Sequence, residues 1–428
     1  MATYASTSSV QVQYKPETTF GTTPSAGTNY YALRVTSESM DFTVSKTQST
    51  ELNATRSISS QVATTASSSG GVQGEFSHCE YDRLLQGVMQ SSFAGGTGDL
   101  GSLAIAVNTG FTSPTTMTFA VATNPGLVAG QWFRVYKVGA ANHGKLLRVA
   151  SGYVAGSVTT VTLDTNTPVT TEAASSGWAI QACRLSHGTT QTSFSMQRMA
   201  SDLSPVEYMV YRGMTPSKFS LNIASGSLTT ISFDFVGKDA VRFSGANNPL
   251  AKGIQWNSGT SVWELASGTS TEKASQAFGI HSSTTSSAGG STCRIWAGGA
   301  PLTSTAVKSL SLEFDNALGT QEAVCNLGAV GIRSGTINCT VSAQLYFAAG
   351  AAFFDQFLAN SNTELAFSSI DSDGNTYMFT LPAASVASYK VNAGGKDTDL
   401  LVDVTFTALR DTTLNKVLVI DRCGVVAV

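Results

Sequence analysis

The chain has 428 residues, 28 acidic and 25 basic, for a net charge of −3; only 12% are charged, about half the usual ~25%. It has no block of Lys or Arg, which excludes tight gripping of nucleic-acid phosphates, and no run of 18 apolar residues, which excludes a membrane-spanning helix. With 42% hydrophobic residues and 40 glycines, the sequence predicts a packed, turn-rich, multi-domain protein built mainly from strands.

Residues 1–10 are rich in Ser and Thr and lack the basic-then-apolar order of a secretory signal, so none is expected. Period-two alternation, which marks a strand with one buried and one wet face, recurs at 220–223, 230–235, 310–315 and 402–407, and earlier strands are read at 40–44 and 71–77. A short helix with an apolar stripe follows at 80–89. Residues 101–186 read as an inserted small all-β domain, with strands at 116–121, 132–138, 145–150, 158–163 and 178–184. Its turns are Asn124-Pro125-Gly126 and Asn142-His143-Gly144. Strands resume at 208–211, 218–223 and 228–238. A Ser/Thr/Gly-rich connector fills 246–300, with Trp256, Trp263 and Trp296 as packing anchors.

The order then repeats. Strands at 310–314 and 335–341 precede a helix at 351–358, and strands follow at 377–380, 388–391 and 400–410. A fixed order of strands and helix found twice predicts two tandem β-sandwich or barrel modules, each with a short α-helix. The first is discontinuous, 1–100 and 187–245, and the second spans 301–428.

No catalytic, cofactor or metal constellation emerges, and an enzyme is not expected. Gly96-Thr97-Gly98-Asp99-Leu100-Gly101 spells a phosphate-loop pattern but follows a helix instead of a strand, so a flexible junction is expected there. Asp371-Ser372-Asp373-Gly374-Asn375 begins like a calcium loop, yet Thr376 and Pro382 stand where Gly and Glu are required; a hairpin turn is expected. His78, His143, His187 and His281 lack partners at metal-ligand spacing, and His78 and Cys79 would point to opposite faces if they lay on a strand. The six cysteines form no C-x-x-C pair and are expected as free thiols of a reducing cytoplasm.

The run Gln11-Val12-Gln13-Tyr14-Lys15-Pro16-Glu17-Thr18-Thr19-Phe20-Gly21-Thr22-Thr23-Pro24 resembles the N-terminal signature of tail tube proteins of long-tailed, non-contractile bacteriophages. Glu51-Leu52-Asn53-Ala54-Thr55-Arg56, Tyr81-Asp82-Arg83-Leu84-Leu85, Gly130-Gln131-Trp132-Phe133-Arg134-Val135 and Phe233-Asp234-Phe235-Val236-Gly237-Lys238 continue the resemblance, in order. So does Asp373-Gly374-Asn375-Thr376-Tyr377-Met378-Phe379-Thr380-Leu381-Pro382.

The resemblance implies a virion protein, made in the host bacterial cytoplasm, that polymerises into stacked rings around a tape-measure protein. Tail terminator and tail-tip proteins would be its other partners, and double-stranded DNA would later pass down the lumen without specific binding. Four strands per module in three chains make about 24 strands; at ~4.8 Å spacing and ~45° tilt they close a barrel about 50 Å across. The expectation is therefore a homotrimeric ring of pseudo-sixfold symmetry, with a hexamer as second choice if only one module lines the channel. DNA must slide, which favours a hydroxyl-rich or weakly acidic wall; Ser220, Asn222, Ser232, Asp234, Ser311, Glu313, Asp403 and Thr405 are the expected lumen residues. The polar segment 45–69, floppy in a lone chain, and the arm 2–24 are expected to make inter-ring contacts through Glu51, Arg56, Lys15 and Glu17. The insert is expected on the outer surface. The rival readings are a secreted adhesin or carbohydrate-binding β-sandwich array, and a phage head-decoration or baseplate protein.

Overall fold

A computed structural model describes residues 4–24, 30–52, 54–55, 57–94, 105–119, 127–152, 160–245, 254–257, 262–265, 295–303, 305–348, 353–370 and 375–424. The elements before the insert are β1 (Val10–Pro16), β2 (Tyr31–Leu33), β3 (Ser37–Glu38), β4 (Asp41–Gln48), β5 (Gln61–Glu75) and α1 (Asp82–Met89). The insert holds β6 (Ile105–Ser113), β7 (Thr116–Phe119), β8 (Trp132–Tyr136), β9 (Leu146–Arg148), β10 (Thr160–Thr162) and β11 (Glu172–Gln181). Next come β12 (Cys183–Ser186), β13 (Phe194–Ala200), β14 (Glu207–Ala224), β15 (Thr230–Gly237), β16 (Asp239–Ser244), β17 (Ile254–Asn257) and β18 (Val262–Leu265). Then follow β19 (Ile295–Ala297), β20 (Ala300–Pro301), β21 (Val307–Asp315), β22 (Gly319–Gln321), β23 (Gly331–Arg333) and β24 (Asn338–Tyr346). The last are α2 (Phe354–Ala359), β25 (Asn362–Ile370), β26 (Thr376–Ala393), β27 (Leu400–Leu409) and β28 (Val419–Cys423). The protein is mainly β.

Eight strands run edge to edge in one antiparallel sheet, in the order β4-β5-β15-β14-β21-β24-β27-β26. The strands before the connector supply the first four and those after it the last four, in matching order. The registers match too: Ser37↔Gln73 and Asp41↔Ser69 in the first set stand where Ser309↔Gln344 and Glu313↔Thr340 stand in the second. Each set carries a bulge at the corresponding place, between Pro216 and Lys218 in β14 and between Val386 and Ser388 in β26.

The long strands bend into a second layer. The first half of β14 pairs with β13 and β16, and β1 and β2 extend that sheet beyond β13. The first half of β26 pairs with β25 and β28, with β19 beyond β25 and β12 beyond β28. Gly213 sits in the bend of β14 at φ +68°, where a Cβ would meet the Phe20 ring and Lys238; a glycine relieves both constraints. The sequence reading places two strands at 208–211 and 218–223, and the bend between them makes one continuous strand look like two.

The core lies between the layers and takes the apolar face of the eight-stranded sheet: Phe219, Leu221, Phe233, Leu312, Phe314 and Val341 are essentially inaccessible. Each such side chain contributes roughly 1.5–3 kcal/mol by leaving water. α1 closes this core with Leu84, Leu85, Val88 and Met89 and ends on Gln90 in the left-handed conformation. α2 ends in the same way on Asn360, but its Phe354, Phe357 and Leu358 are exposed.

The insert forms its own sheet, β10-β7-β6-β11-β8-β9, over a core including Phe111, Phe133, Leu147 and Trp178. Its two ends meet, for Ala94 and Arg184 exchange backbone hydrogen bonds of 2.8 and 3.0 Å. Trp132 of the insert packs edge-on against Trp296, with ring centres 4.9 Å apart. Arg148 lies over the Trp132 ring and ion-pairs with Glu364. Arg134 donates to Thr376 Oγ1 at 2.6 Å, and Tyr136 donates to the Gly424 carbonyl at 3.0 Å.

Several expectations meet a different geometry. The segment 45–69 is largely an ordered ribbon, with β4 and β5 paired from Asp41↔Ser69 out to Gln48↔Gln61. Backbone pairing holds it without an apolar face, and Ala66 N–H donates to the Leu327 carbonyl at 2.6 Å. Residues 183–186 pair with β28 instead of the insert sheet, and 295–297 pair with β25. His78 and Cys79 lie on a turn, with Cys79 at φ +65°, so their side chains meet: Sγ is 3.2 Å from Nδ1. Trp256 and Trp263 are opposite each other in the β17–β18 hairpin. The glycine-rich run 96–101, residues 371–374, His281 and Cys293 lie outside the described residues. The strands flanking 371–374 pair down to Ile370↔Thr376. Cys79, Cys183, Cys325, Cys339 and Cys423 are free thiols.

Candidate assembly surface

Side chains that pair directly across antiparallel strands share a face. One row of the eight-stranded sheet reads Gln73, Ser232, Ser220, Glu313, Thr340 and Thr407. The next reads Glu75, Thr230, Asn222, Ser311, Ser342 and Thr405, and a third joins Ser309, Gln344 and Asp403. Asp234 lies two residues from Ser232, on the same side. All eight residues read from the sequence as lumen-facing therefore occupy one continuous face. Each is partly or fully exposed, and the opposite face of the same strands is the core.

This face is hydroxyl-rich and acidic. Its paired positions carry Asp41, Glu75, Asp234, Glu313, Asp315 and Asp403 against Lys218, Lys390 and, out on the β4–β5 ribbon, Lys46. Lys218 is held by Glu313 at 2.8 Å across the β14–β21 joint, and this hydrogen bond raises its pKa above the usual lysine value. Asp403 accepts from Gln344 Nε2 at 3.0 Å and from Asn392 Nδ2. The acids are thus spread across the face, several of them in hydrogen bonds.

The residues expected at inter-ring contacts are dispersed. Glu51 is exposed near the tip of the β4–β5 hairpin, and Arg56 lies outside the described residues. Lys15 stands 5.9 Å from the centre of the Tyr30 ring. Glu17 is engaged within the chain: Oε1 accepts from Ser195 Oγ (2.7 Å) and Gly213 N–H (2.9 Å), and Oε2 from Ser193 Oγ and Gly21 N–H (both 2.7 Å). Three of these bonds, from Ser193, Ser195 and Gly213, tie the N-terminal arm to β13, the residue before it, and β14.

Sequence reasoning missed a buried polar cluster. Arg422 pairs with Asp82, whose other oxygen accepts from Tyr377 Oη at 2.6 Å. Burial, then the Asp82 charge, pushes the Tyr377 hydroxyl well above the ordinary tyrosine pKa. The signal was Asp82 itself, a carboxylate opening a helix whose apolar stripe is buried. Among the described residues no group of three or more His, Cys, Asp or Glu is placed to hold a metal ion, and no helix is long and apolar enough to cross a membrane.

Among the described residues both ends of the eight-stranded sheet are open: β4 pairs only with β5, and the second half of β26 pairs only with β27. Unpaired edges of this length are normally covered or used for assembly. The sequence profile of the phage tail tube protein family matches residues 7–408. The chain belongs to that family. A search of curated proteins returns no match. As a tail tube protein it is a structural component of the virion, and the family is not one of enzymes.

Proposed function

We propose that this tail tube protein polymerises into stacked rings that form the hollow tail, the conduit for genome delivery into the host. One observation carries the reading: a single chain holds an eight-stranded sheet with a polar face, an apolar face and, among the described residues, an unpaired strand at each end. Three such sheets joined edge to edge make about 24 strands and a barrel roughly 50 Å across, with room for a duplex once side chains are subtracted. Six full sheets would give roughly 100 Å, so three chains per ring is the better fit.

In this reading the two four-strand sets are the modules of a duplicated unit, and the ring has pseudo-sixfold symmetry. The face bearing Ser220, Asn222, Ser232, Asp234, Ser311, Glu313, Asp403 and Thr405 lines the lumen, where carboxylates repel phosphates and the neutral side chains supply no counter-charge to hold them. The β4–β5 hairpin, with Glu51 near its tip, reaches the adjacent ring, where Glu51 and Arg56 make the inter-ring contact, and the insert decorates the outside. The tape-measure protein occupies the bore during assembly, and terminator and tip proteins cap the ends. Negative-stain electron microscopy and light scattering of concentrated protein test this. Rings or tubes with three chains per ring support it, and a protein that stays monomeric and never co-purifies with virions overturns it.

A further inference from the structure

The joint between the two halves of the chain is a template for the joint between chains. Aligning the two sheet halves by their registers makes Phe42 the counterpart of Phe314, and Asp41 that of Glu313. It likewise makes Tyr389 the counterpart of Phe219, and Lys390 that of Ser220. Within the chain, Phe219 pairs with Phe314 and Ser220 with Glu313, and Asn316 N–H donates to the Ser217 carbonyl at 2.9 Å. We propose that residues 387–390 of one copy add to residues 41–44 of a second copy in the equivalent register, Lys390 opposite Asp41 and Tyr389 opposite Phe42. The proposal rests on the ring-forming function above and specifies its contact.

Three independent features fit this occupant. First, the counterpart aromatics differ in burial as a missing strand requires. Phe219 and Phe314 are fully buried and stacked, with ring centres 5.7 Å apart, whereas Phe42 and Tyr389 are only partly covered. Second, the facing charges are opposite, and among the described residues Lys390 has no ion pair. The Phe42 N–H, which corresponds to a group that meets β14 in the internal joint, turns to its own Asp41 Oδ1 at 2.8 Å. Third, α1 is covered partly by the other half of the chain, through Asn316 Nδ2 to the Val88 carbonyl and Gln90 Nε2 to Ser334 Oγ at 2.7 Å. Among the described residues α2 has no such cover, and Phe354, Phe357 and Leu358 stand 39%, 38% and 67% exposed beside the open edge of β26. The second copy's β4 would bring that cover.

The new ladder starts at Asp41. Upstream, the Met40 carbonyl already accepts from Arg198 Nη2 at 2.6 Å and from Tyr211 Oη at 3.0 Å, so it is closed to an incoming strand.

Charge reversal tests the register. Lys390→Asp and Asp41→Lys are each expected to lower tube yield at least tenfold at low salt while leaving the monomer folded by circular dichroism. The double variant is expected to recover most of the yield. In a Cys325→Ser background, which removes an exposed thiol, Asp41→Cys/Lys390→Cys is expected to give covalent trimers with a short bismaleimide, and neither single Cys variant is. Wild-type tubes combined with unaffected single reversals and no cross-linking would overturn the register while leaving ring formation standing. Absence of wild-type tubes would instead remove the functional reading beneath it.

Discussion

Arg422 on β28 and Asp82 at the first position of α1 are 340 residues apart in the chain and form an ion pair in the core. The pair fastens the last strand of the second half to the helix of the first. Removing one partner from such a pair leaves a buried charge without compensation, which costs about 3–5 kcal/mol. Asp82→Asn is therefore expected to lower the stability of the unassembled protein by that amount in urea denaturation. Lys218→Ala, which breaks the more exposed pair with Glu313, is expected to cost under about 1 kcal/mol.

His78 sits beside this cluster. Burial pushes its pKa down to about 4, against a pull upward from Asp82 and a smaller push downward from Arg422. An unfolded histidine titrates near 6.5, so below that pH the unfolded chain takes up a proton that the native chain refuses. Stability from this group is complete above about 6.5 and is lost as pH falls towards about 4, on the order of 3 kcal/mol in total. Urea midpoints at pH 7 and pH 4.5 check this, and His78→Gln is expected to lose less between the two than wild type.

Glu17 accepts four hydrogen bonds, three of which tie the N-terminal arm to residues 193, 195 and 213. Glu17→Ala leaves the Gly21 and Gly213 N–H groups without their acceptor, and a loss of about 2–3 kcal/mol is expected from bonds to a charged group. Limited proteolysis should then cut within the first 24 residues well before it does in wild type.

The polar face predicts how the tube treats DNA. Asp234 and Asn222 are exposed on it. Asp234→Lys/Asn222→Lys should leave assembly intact while tubes gain duplex binding that weakens steeply with salt, because lysines neutralise phosphates and release counterions. Filter binding at 50 and 200 mM salt reads this directly; wild-type tubes should retain no DNA at either.

The insert enters and leaves the body where Ala94 meets Arg184. Replacing residues 105–181 with a short Gly-Ser linker would uncover Trp296, Met378 and Cys423, which the insert buries. With Trp296→Gln and Met378→Thr added to restore a wettable surface, the body is expected to fold and still form tubes in electron micrographs. A folded but non-assembling deletion variant would show that the insert takes part in ring building.

The eight-stranded sheet was legible because each of its strands separates core from water, which writes period two into Leu310–Asp315 and Thr230–Phe235 alike. Burial on both faces erases that pattern: the first half of β26, from Thr376 to Leu381, is buried throughout, and its pairing with β28 has no local signature. Most of the ribbon at 45–69 was unreadable for the converse reason, since among its described residues none from 45 to 65 is buried. Glu17 looked like a surface acid because three of the four groups that bind it, Ser193, Ser195 and Gly213, lie 176–196 residues downstream.

The open ends of the sheet are unlike, one from each half of the chain, and this bears on how quickly a ring nucleates. In a three-membered ring, half of the six sheet seams come ready-made by covalent tethering, at an effective concentration that free subunits would have to reach in bulk. Ring closure is then third order in protein instead of sixth, and the entropic penalty of gathering partners falls accordingly. In the proposed three-chain ring, a chain carrying both four-strand sets can therefore nucleate at concentrations too dilute for a chain carrying one.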